Sequence, residues 1–335
     1  MIDLFPELSV PDCVCEAMES EAMKRIARIE MNCGCSYTSI PLFAQMEPYT
    51  RAQHSFNVSR LVYFFTGDPV QTFAGLFHDI AAPAFSHVID FLNGDYLNQE
   101  STEDKTALMI EQDPLINEIL SREHIPIEAV TDYHRYPIAD NDSPQLSCDR
   151  LEYTLGNAVN YRFLKAEDAN KLLHKLTVVK NESGIDELAF TEREAALRFA
   201  DAALKCGMIY SGKQDRYAME YLAQILKMAM KAGCLSADDL YSDEAVVISC
   251  LKNGGYEADW NRFCSLYDVV ESDDAEGIAV NAKRRYIDPL IVGEGRVSAA
   301  DERMNQRILQ FLSDDYSILL KGLFYGQNDR NCQHK

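Results

Sequence analysis

Apolar residues recur at helical spacing through most of the chain. His54, Val58, Leu61, Val62 and Phe65 follow i, i+4, i+7, i+8 and i+11. That spacing draws one face of a helix from a cap at Thr50 to about Phe65. Arg51 lies three residues before His54, on the same side. Asp68-Pro69 starts the next helix, an N-cap followed by proline at the first helical position. Phe73, Ala74 and Phe77 form its core side. Gln71, Gly75 and His78 form a neighbouring stripe, where Gly75 permits close approach of another backbone or a ligand. Ala81-Ala82-Pro83 ends it. Residues 17–31 read as an earlier helix with Met23, Ile26 and Ala27 on one face, broken by Gly34. Phe85-Ser86-His87 opens another, apolar at Val88, Ile89 and Phe91. Ser101 and Asp104 fit a capping box beyond the turn at Asn93-Gly94-Asp95.

Further along, a helix from about Gln145 carries Asp149, Glu152 and Tyr153 on one face. The apolar residues flanking Asn181-Glu182-Ser183-Gly184, within 174–190, suggest a small β-hairpin. Thr191 with Glu194 reads as a capping box for a long helix towards Tyr210. A second long helix runs from about Asp215 to Ala232 and stops at Gly233. Shorter ones follow over Asp243–Lys252 and Ser298–Leu312, separated by an acidic loop at 271–276. The apolar tail Ile318, Leu319, Leu323 and Phe324 is placed to pack on a partner subunit. The pattern predicts a mostly α protein, with a small β-hairpin and a C-terminal helical extension.

Composition narrows the partners. Lys and Arg number 32 against 53 Asp and Glu, for a net charge of -21 over 335 residues. Such a chain is not built to follow a nucleic-acid backbone or an anionic membrane. A small phosphorylated substrate needs only a local basic pocket. No run approaches transmembrane length, and the first residues lack a basic and an apolar signal region. A soluble cytoplasmic protein is expected. The cysteines Cys13, Cys15, Cys33 and Cys35 are spaced Cys-x-Cys, a poorer fit to zinc than Cys-x2-Cys, and are read as ordinary reduced thiols.

The candidate chemistry lies where the second helix ends. The apolar run Phe73–Phe77 finishes in His78-Asp79, and two buried ionisable groups need a partner. A metal ion is one, and His54 and Asp149 can complete its ligands. Taken singly, His54 reads as a satisfied core histidine and Asp149 as part of a solvated helix face. Together, two histidines and two aspartates form a mixed N/O set that suits Mn, Fe, Co, Ni or Zn, or loosely held Mg. The densest basic cluster, Lys283-Arg284-Arg285, is either a solvated charge run or a phosphate contact.

Arg51-Ala52-Gln53-His54, then His78-Asp79-Ile80-Ala81-Ala82-Pro83-Ala84-Phe85-Ser86-His87, then Asp149-Arg150-Leu151-Glu152-Tyr153 resembles the HD superfamily of metal-dependent phosphohydrolases. Its nearest branch includes the deoxynucleoside triphosphate triphosphohydrolases, and the resemblance covers roughly residues 20–215. It implies an HD-domain helical bundle around a metal site over 1–215, with 216–335 as a regulatory or oligomerisation region. It also implies a divalent metal held by His54, His78, Asp79 and Asp149. Arg51, Arg150 and His87 then meet phosphate, and Tyr153 lies near the nucleotide. Asp79 or Asp149 would orient a water. Ala82 stands where the family has a histidine. The family's second catalytic histidine has no counterpart in 99–103, which leaves Glu100 or Glu103 as the acid/base by position. A homo-oligomer is implied by resemblance alone. The expected activity is hydrolysis of a phosphate ester or anhydride, most plausibly of a nucleotide. Alternatives are a nucleotidase or phosphodiesterase, a nucleotide-sensing module with little turnover, or a helical interaction protein.

Overall fold

The computed structural model describes residues 3–93, 105–273 and 277–326, and helices dominate among them. Two short helices come first, α1 (Asp12–Ala17) and α2 (Glu21–Ile26), where the apolar spacing suggested one helix over 17–31. Ser20 is the reason. Its hydroxyl accepts the Met23 N–H at 3.3 Å, so it caps a new helix. Met23 and Ile26 are buried as expected, but Ala27 is exposed and Ile29 takes the inner place.

After α3 (Pro41–Ala44) comes α4 (Arg51–Thr66), opened by a full capping box between Thr50 and Gln53. Asp68 caps α5 (Pro69–Phe77) by accepting the Val70 N–H at 2.8 Å. These two helices pack together. Gly75 sets how closely, since a Cβ there would lie 3.2 Å from Val62 Cγ2 and 3.4 Å from Val58 Cγ1. Phe73 and Phe77 stack with centroids 5.7 Å apart and are fully buried. Each contributes about 2 kcal/mol through burial.

α6 (Val88–Asn93) starts three residues after Phe85 because Phe85 and Ser86 have φ of 60° and 47°, which no helix continues through. α7 (Thr106–Gln112) and α8 (Pro114–Arg122) follow. α9 (Cys148–Asn160) begins later than Gln145 because Ser147 caps it, accepting the Arg150 N–H at 3.2 Å. After α10 (Ala166–Leu173), β1 (Leu176–Lys180) and β2 (Asp186–Phe190) form the expected hairpin, with Leu176 opposite Phe190. α11 (Arg193–Tyr210) lacks the expected Thr191 cap. That hydroxyl donates to the Lys175 carbonyl at 3.1 Å instead.

α12 (Lys213–Lys231), α13 (Glu244–Leu251) and α14 (Glu257–Cys264) lead into β3 (Leu266–Glu271). β4 (Leu290–Ile291) runs parallel to β2, and β5 (Gly295–Arg296) pairs with β4. The hairpin thus widens into a four-stranded sheet, β1-β2-β4-β5. Asp301 splits the expected 298–312 helix into α15 (Val297–Ala300) and α16 (Glu302–Leu312), since its carboxylate caps Met304 N at 2.9 Å. The apolar tail pairs in part with its own chain, while Ile318 stays exposed. The paired part forms β6 (Leu320–Phe324), antiparallel to β3.

One buried cluster draws on residues from Leu4 to Leu320, including α4, α9, α11 and α12. A smaller one joins α1, α2 and α5 to α7 and α8. Between β3 and β4 an irregular strap, residues 277–289, passes over α11 at Gly207. A Cβ at Gly207 would meet the Arg285 carbonyl oxygen at 2.2 Å.

Candidate metal centre and its cavity

The α4–α5 contact delivers the two histidines. His54 sits one turn into α4 and His78 at the C-cap of α5, where the chain turns away and lets Asp79 face the same space. Each ring is held from behind. His54 Nδ1 lies 2.5 Å from Glu152 Oε2, and His78 Nδ1 lies 2.7 Å from the Gly75 carbonyl. A carboxylate and a carbonyl only accept, so both Nδ1 atoms carry hydrogen and both Nε2 atoms are left facing inwards. These two Nε2 atoms are 3.1 Å apart. Asp149 Oδ1, from the first turn of α9, is 2.9 Å from that of His54 and 3.6 Å from that of His78.

Two nitrogen lone pairs and an anionic oxygen cannot converge like this without positive charge among them. A proton can supply it, and so can a metal ion. Burial opposes a charged His54, yet Glu152 and Asp149 on its two nitrogens push it up to about 10. His78 is raised in the same way against burial, by Asp79 and Asp149. Asp149 is half-buried, which opposes its charge, but the two imidazoles hold its carboxyl well below the usual range. The donor set fits a divalent transition metal: two imidazole nitrogens, a carboxylate oxygen, and second partners that fix both tautomers. Among the described residues, His54, His78 and Asp149 are the group placed to hold a metal. The Cys-x-Cys pairs form no such group. Cys33 and Cys35 are buried, Cys15 is exposed, and all are free thiols.

Asp79 stands at the edge of this cluster. Its Oδ2 is 3.6 Å from His78 Nε2 and 3.9 Å from His54 Nε2. The same oxygen takes a 2.7 Å ion pair from Arg51 Nη1. Burial works against its charge, but Arg51 and the histidines hold the carboxyl far below the usual carboxylate range. Arg51 Nε also reaches Ser86 Oγ at 3.0 Å.

The cluster lines a cavity of about 360 Å³. Arg51, Arg150, Tyr153, His87, Lys283 and Arg285 line it too, so the structure gathers most of the expected site residues from five separate segments. His87 Nδ1 is 2.8 Å from the fully buried Asp90, leaving Nε2 to the cavity. Burial keeps His87 below its ordinary pKa despite Asp90. Arg150 is tied down by Asp140 at 2.8 Å and Asn141 Oδ1 at 2.7 Å. Arg284 turns away from the cavity, onto the Asp314 carbonyl and the Tyr316 ring, 4.6 Å from its centroid. Strap residues alternate in direction, so Lys283 and Arg285 face inwards and Arg284 does not. Glu100 and Glu103 lie outside the described residues.

Sequence reasoning missed Glu152 as a supporting residue, and it missed Tyr133, Asn157, Tyr161 and Asp215 in the cavity wall. Glu152 had one signal, its i+3 spacing from Asp149. Asn157 and Tyr161 had one too, the i+4 series that runs from Asp149 and Tyr153 along α9 to its C-cap, whereas Tyr133 and Asp215 come from elements far apart in sequence.

The fold and site define a mostly α protein with a two-histidine, one-aspartate cluster beneath a cavity lined by charged side chains of both signs. No family model matches the chain. Over 248 residues it is 28% identical to the uncharacterized protein YdhJ of Bacillus subtilis, covering 72% of this chain and 74% of that protein. Over 170 residues it is 28% identical to the metal-dependent phosphohydrolase cns2 of Cordyceps militaris, covering 51% of this chain and 47% of cns2. A hypothetical protein from Aquifex aeolicus, known from a crystal structure, superposes with a TM-score of 0.57 at 19% identity, over 80% of this chain and 77% of that one. That likeness concerns the fold. No helix among the described residues is long and apolar enough to cross a membrane.

Proposed function

We propose that this chain is an HD-type metal-dependent phosphohydrolase acting on a phosphate ester or anhydride of a nucleotide. The observation that carries this reading is the convergence of His54 Nε2, His78 Nε2 and Asp149 Oδ1, with both Nδ1 atoms anchored, beneath a cavity lined by Arg51, Lys283 and Arg285. The name of cns2 supports it. A divalent ion at this centre supplies Lewis acidity towards phosphate oxygens and makes water more acidic. His54, His78 and Asp149 hold it, with Asp79 as the further oxygen. Arg51 presents a planar fork, pre-oriented by Asp79 and Ser86, to a phosphate oxygen. Lys283 and Arg285 add positive charge from the strap. The lining is balanced, with Arg51, Arg150, Lys283 and Arg285 facing Asp79, Asp140, Asp142, Asp149 and Asp215, so a bound divalent ion would tip the cavity towards anions. His87 is half-buried, neutral and oriented by Asp90 through Nδ1–H, so its Nε2 carries a lone pair towards the cavity and can accept a proton from a water or hydroxyl there.

The test is elemental analysis of the purified full chain by inductively coupled plasma mass spectrometry. It is followed by hydrolysis of nucleoside mono- and triphosphates and p-nitrophenyl phosphate with Mn, Fe, Co, Ni, Zn or Mg. About one divalent ion per chain and metal-dependent release of phosphate or triphosphate are expected. No metal after reconstitution, with no hydrolysis, would overturn the reading.

The strap gives a second check. Gly207→Ala places a methyl against the Arg285 carbonyl and must push the strap outwards. Moving Lys283 and Arg285 should lower kcat/KM about tenfold, roughly 1.4 kcal/mol of transition-state binding. Metal content should stay unchanged, because no metal ligand lies on the strap. Equal kcat/KM in the two proteins would show that the strap does not bind substrate.

A further inference from the structure

A second polar cluster lines the same cavity, on residues the metal centre does not use. Asp215, at the start of α12, is buried, and the Cys35 thiol lies 3.9 Å from its Oδ2. Asn157, on α9, is also buried. Its Nδ2 donates to Tyr210 Oη at 2.8 Å, while its Oδ1 has no partner among the described residues. Asn32 Nδ2 is likewise buried and unpartnered among them. All three residues line the cavity. Orphaned buried amide atoms cost on the order of 1–3 kcal/mol each, so a site that keeps them is built for something that pairs them.

Around them stands an aromatic wall. Tyr210 packs against Tyr153 and Tyr161, with ring centroids 6.4 and 6.5 Å away, and Tyr161 lies within electrostatic reach of Asp215. Planar rings beside a buried carboxyl and unpaired amides suit a flat, polar heterocycle. Arg285 ties this region to the rest of the cavity, since its charge acts on Asp215, Tyr153 and His87.

We propose that this part of the cavity is a nucleobase subsite in which Asp215, helped by Asn157, accepts a hydrogen bond from the exocyclic amino group of the base. The proposal rests on the nucleotide reading above and deepens it. It makes Asp215 a specificity residue: bases that bear an amino group are held, and those that lack one leave a buried acceptor unpaired. Burial pushes the Asp215 carboxyl up to about 8, so an uncharged base meets a largely uncharged carboxyl and no buried charge is left unpaired.

Nucleosides without phosphate test this independently of any hydrolysis. Isothermal titration of the full-length, metal-loaded protein compares adenosine with purine riboside, which lacks the 6-amino group, and guanosine with inosine, which lacks the 2-amino group. In at least one pair the amino-bearing member should bind about tenfold tighter, the worth of one buried hydrogen bond. Asp215→Leu should erase that ratio. Asp215→Asn, which keeps a carbonyl acceptor, should retain it. Equal affinities within both pairs, no nucleoside binding at all, or an unchanged ratio in a folded Asp215→Leu protein would overturn the subsite. The wild-type comparison stands even if the leucine variant does not fold. Failure of the phosphohydrolase reading looks different: no metal-dependent hydrolysis of p-nitrophenyl phosphate, a substrate without a base.

Discussion

Asp149→Ala is expected to remove bound metal and abolish phosphate-ester hydrolysis together, with the fold retained. Among the described residues, its Oδ1 is the carboxylate oxygen that lies within 3.6 Å of both inward-facing imidazole nitrogens. Without it, two Nε2 atoms face each other at 3.1 Å with the nearer of their two carboxylates gone. The remaining oxygen donor, Asp79, is already engaged by Arg51 at 2.7 Å. A divalent ion would then keep two nitrogen ligands and lose most of its charge compensation. The catalytic loss follows from what a metal contributes, several kcal/mol of transition-state stabilisation, of which about 4 kcal/mol is already a thousandfold in kcat. The helix itself does not depend on this side chain, because the Ser147 hydroxyl caps α9 and Leu151 and Leu155 bury its core face. Metal content, kcat and circular dichroism of the variant check the prediction. Full metal occupancy with wild-type kcat in Asp149→Ala would sink the assignment of the centre.

The converging side chains were legible in part. His54 stands in register with a core stripe and His78-Asp79 ends an apolar helix before proline, whereas Asp149 taken singly read as a solvated helix face and joined them only with the other motifs and the HD resemblance. Helix periodicity carries those signals, and the helices duly form. What periodicity does not carry is side-chain capping inside a stretch that looks continuous. Ser20 and Asp301 each divide a helix that apolar spacing alone would join. Nor does it carry strand pairing across long separations. The tail at 320–324 reads as an unpartnered apolar run until β3, some fifty residues earlier, is known to lie beside it. The cavity wall fails in part for the same reason. Tyr133 and Asp215 share no spacing with the ligands and reach the cavity only through packing, whereas Asn157 and Tyr161 continue an i+4 series from Asp149 and Tyr153 that was open to reading. Within the basic run the sequence could name Lys283, Arg284 and Arg285 together but could not say which faced inwards. An extended strap resolves that by alternation, and Arg284 is the one turned out.

Glu152 carries the other large expectation, on stability and metal affinity at once. It is fully buried, and three donors converge on its carboxylate: Tyr49 Oη, His54 Nδ1 at 2.5 Å and Asn57 Nδ2 at 2.9 Å. Tyr49 is itself fully buried. Glu152→Ala would leave a cavity and three buried donors without their acceptor, and should cost about 3–5 kcal/mol. Glu152→Gln separates the two roles. It keeps the volume, but one terminal atom becomes a donor facing donors, for a cost of about 1–3 kcal/mol. The His54 ring then loses the anion that fixes its Nδ1 hydrogen, and metal affinity should fall roughly 10- to 100-fold. Urea unfolding of the metal-free proteins reads the first effect, and titration with Mn or Zn under a competing chelator reads the second. A Glu152→Gln protein as stable as wild type with unchanged metal affinity would show that His54 is oriented by packing alone. Loss of stability without loss of affinity would confine Glu152 to the core. Loss of both is what the shared carboxylate requires, because the groups that anchor it in the core are held by the same two oxygens that set the tautomer of the ligand.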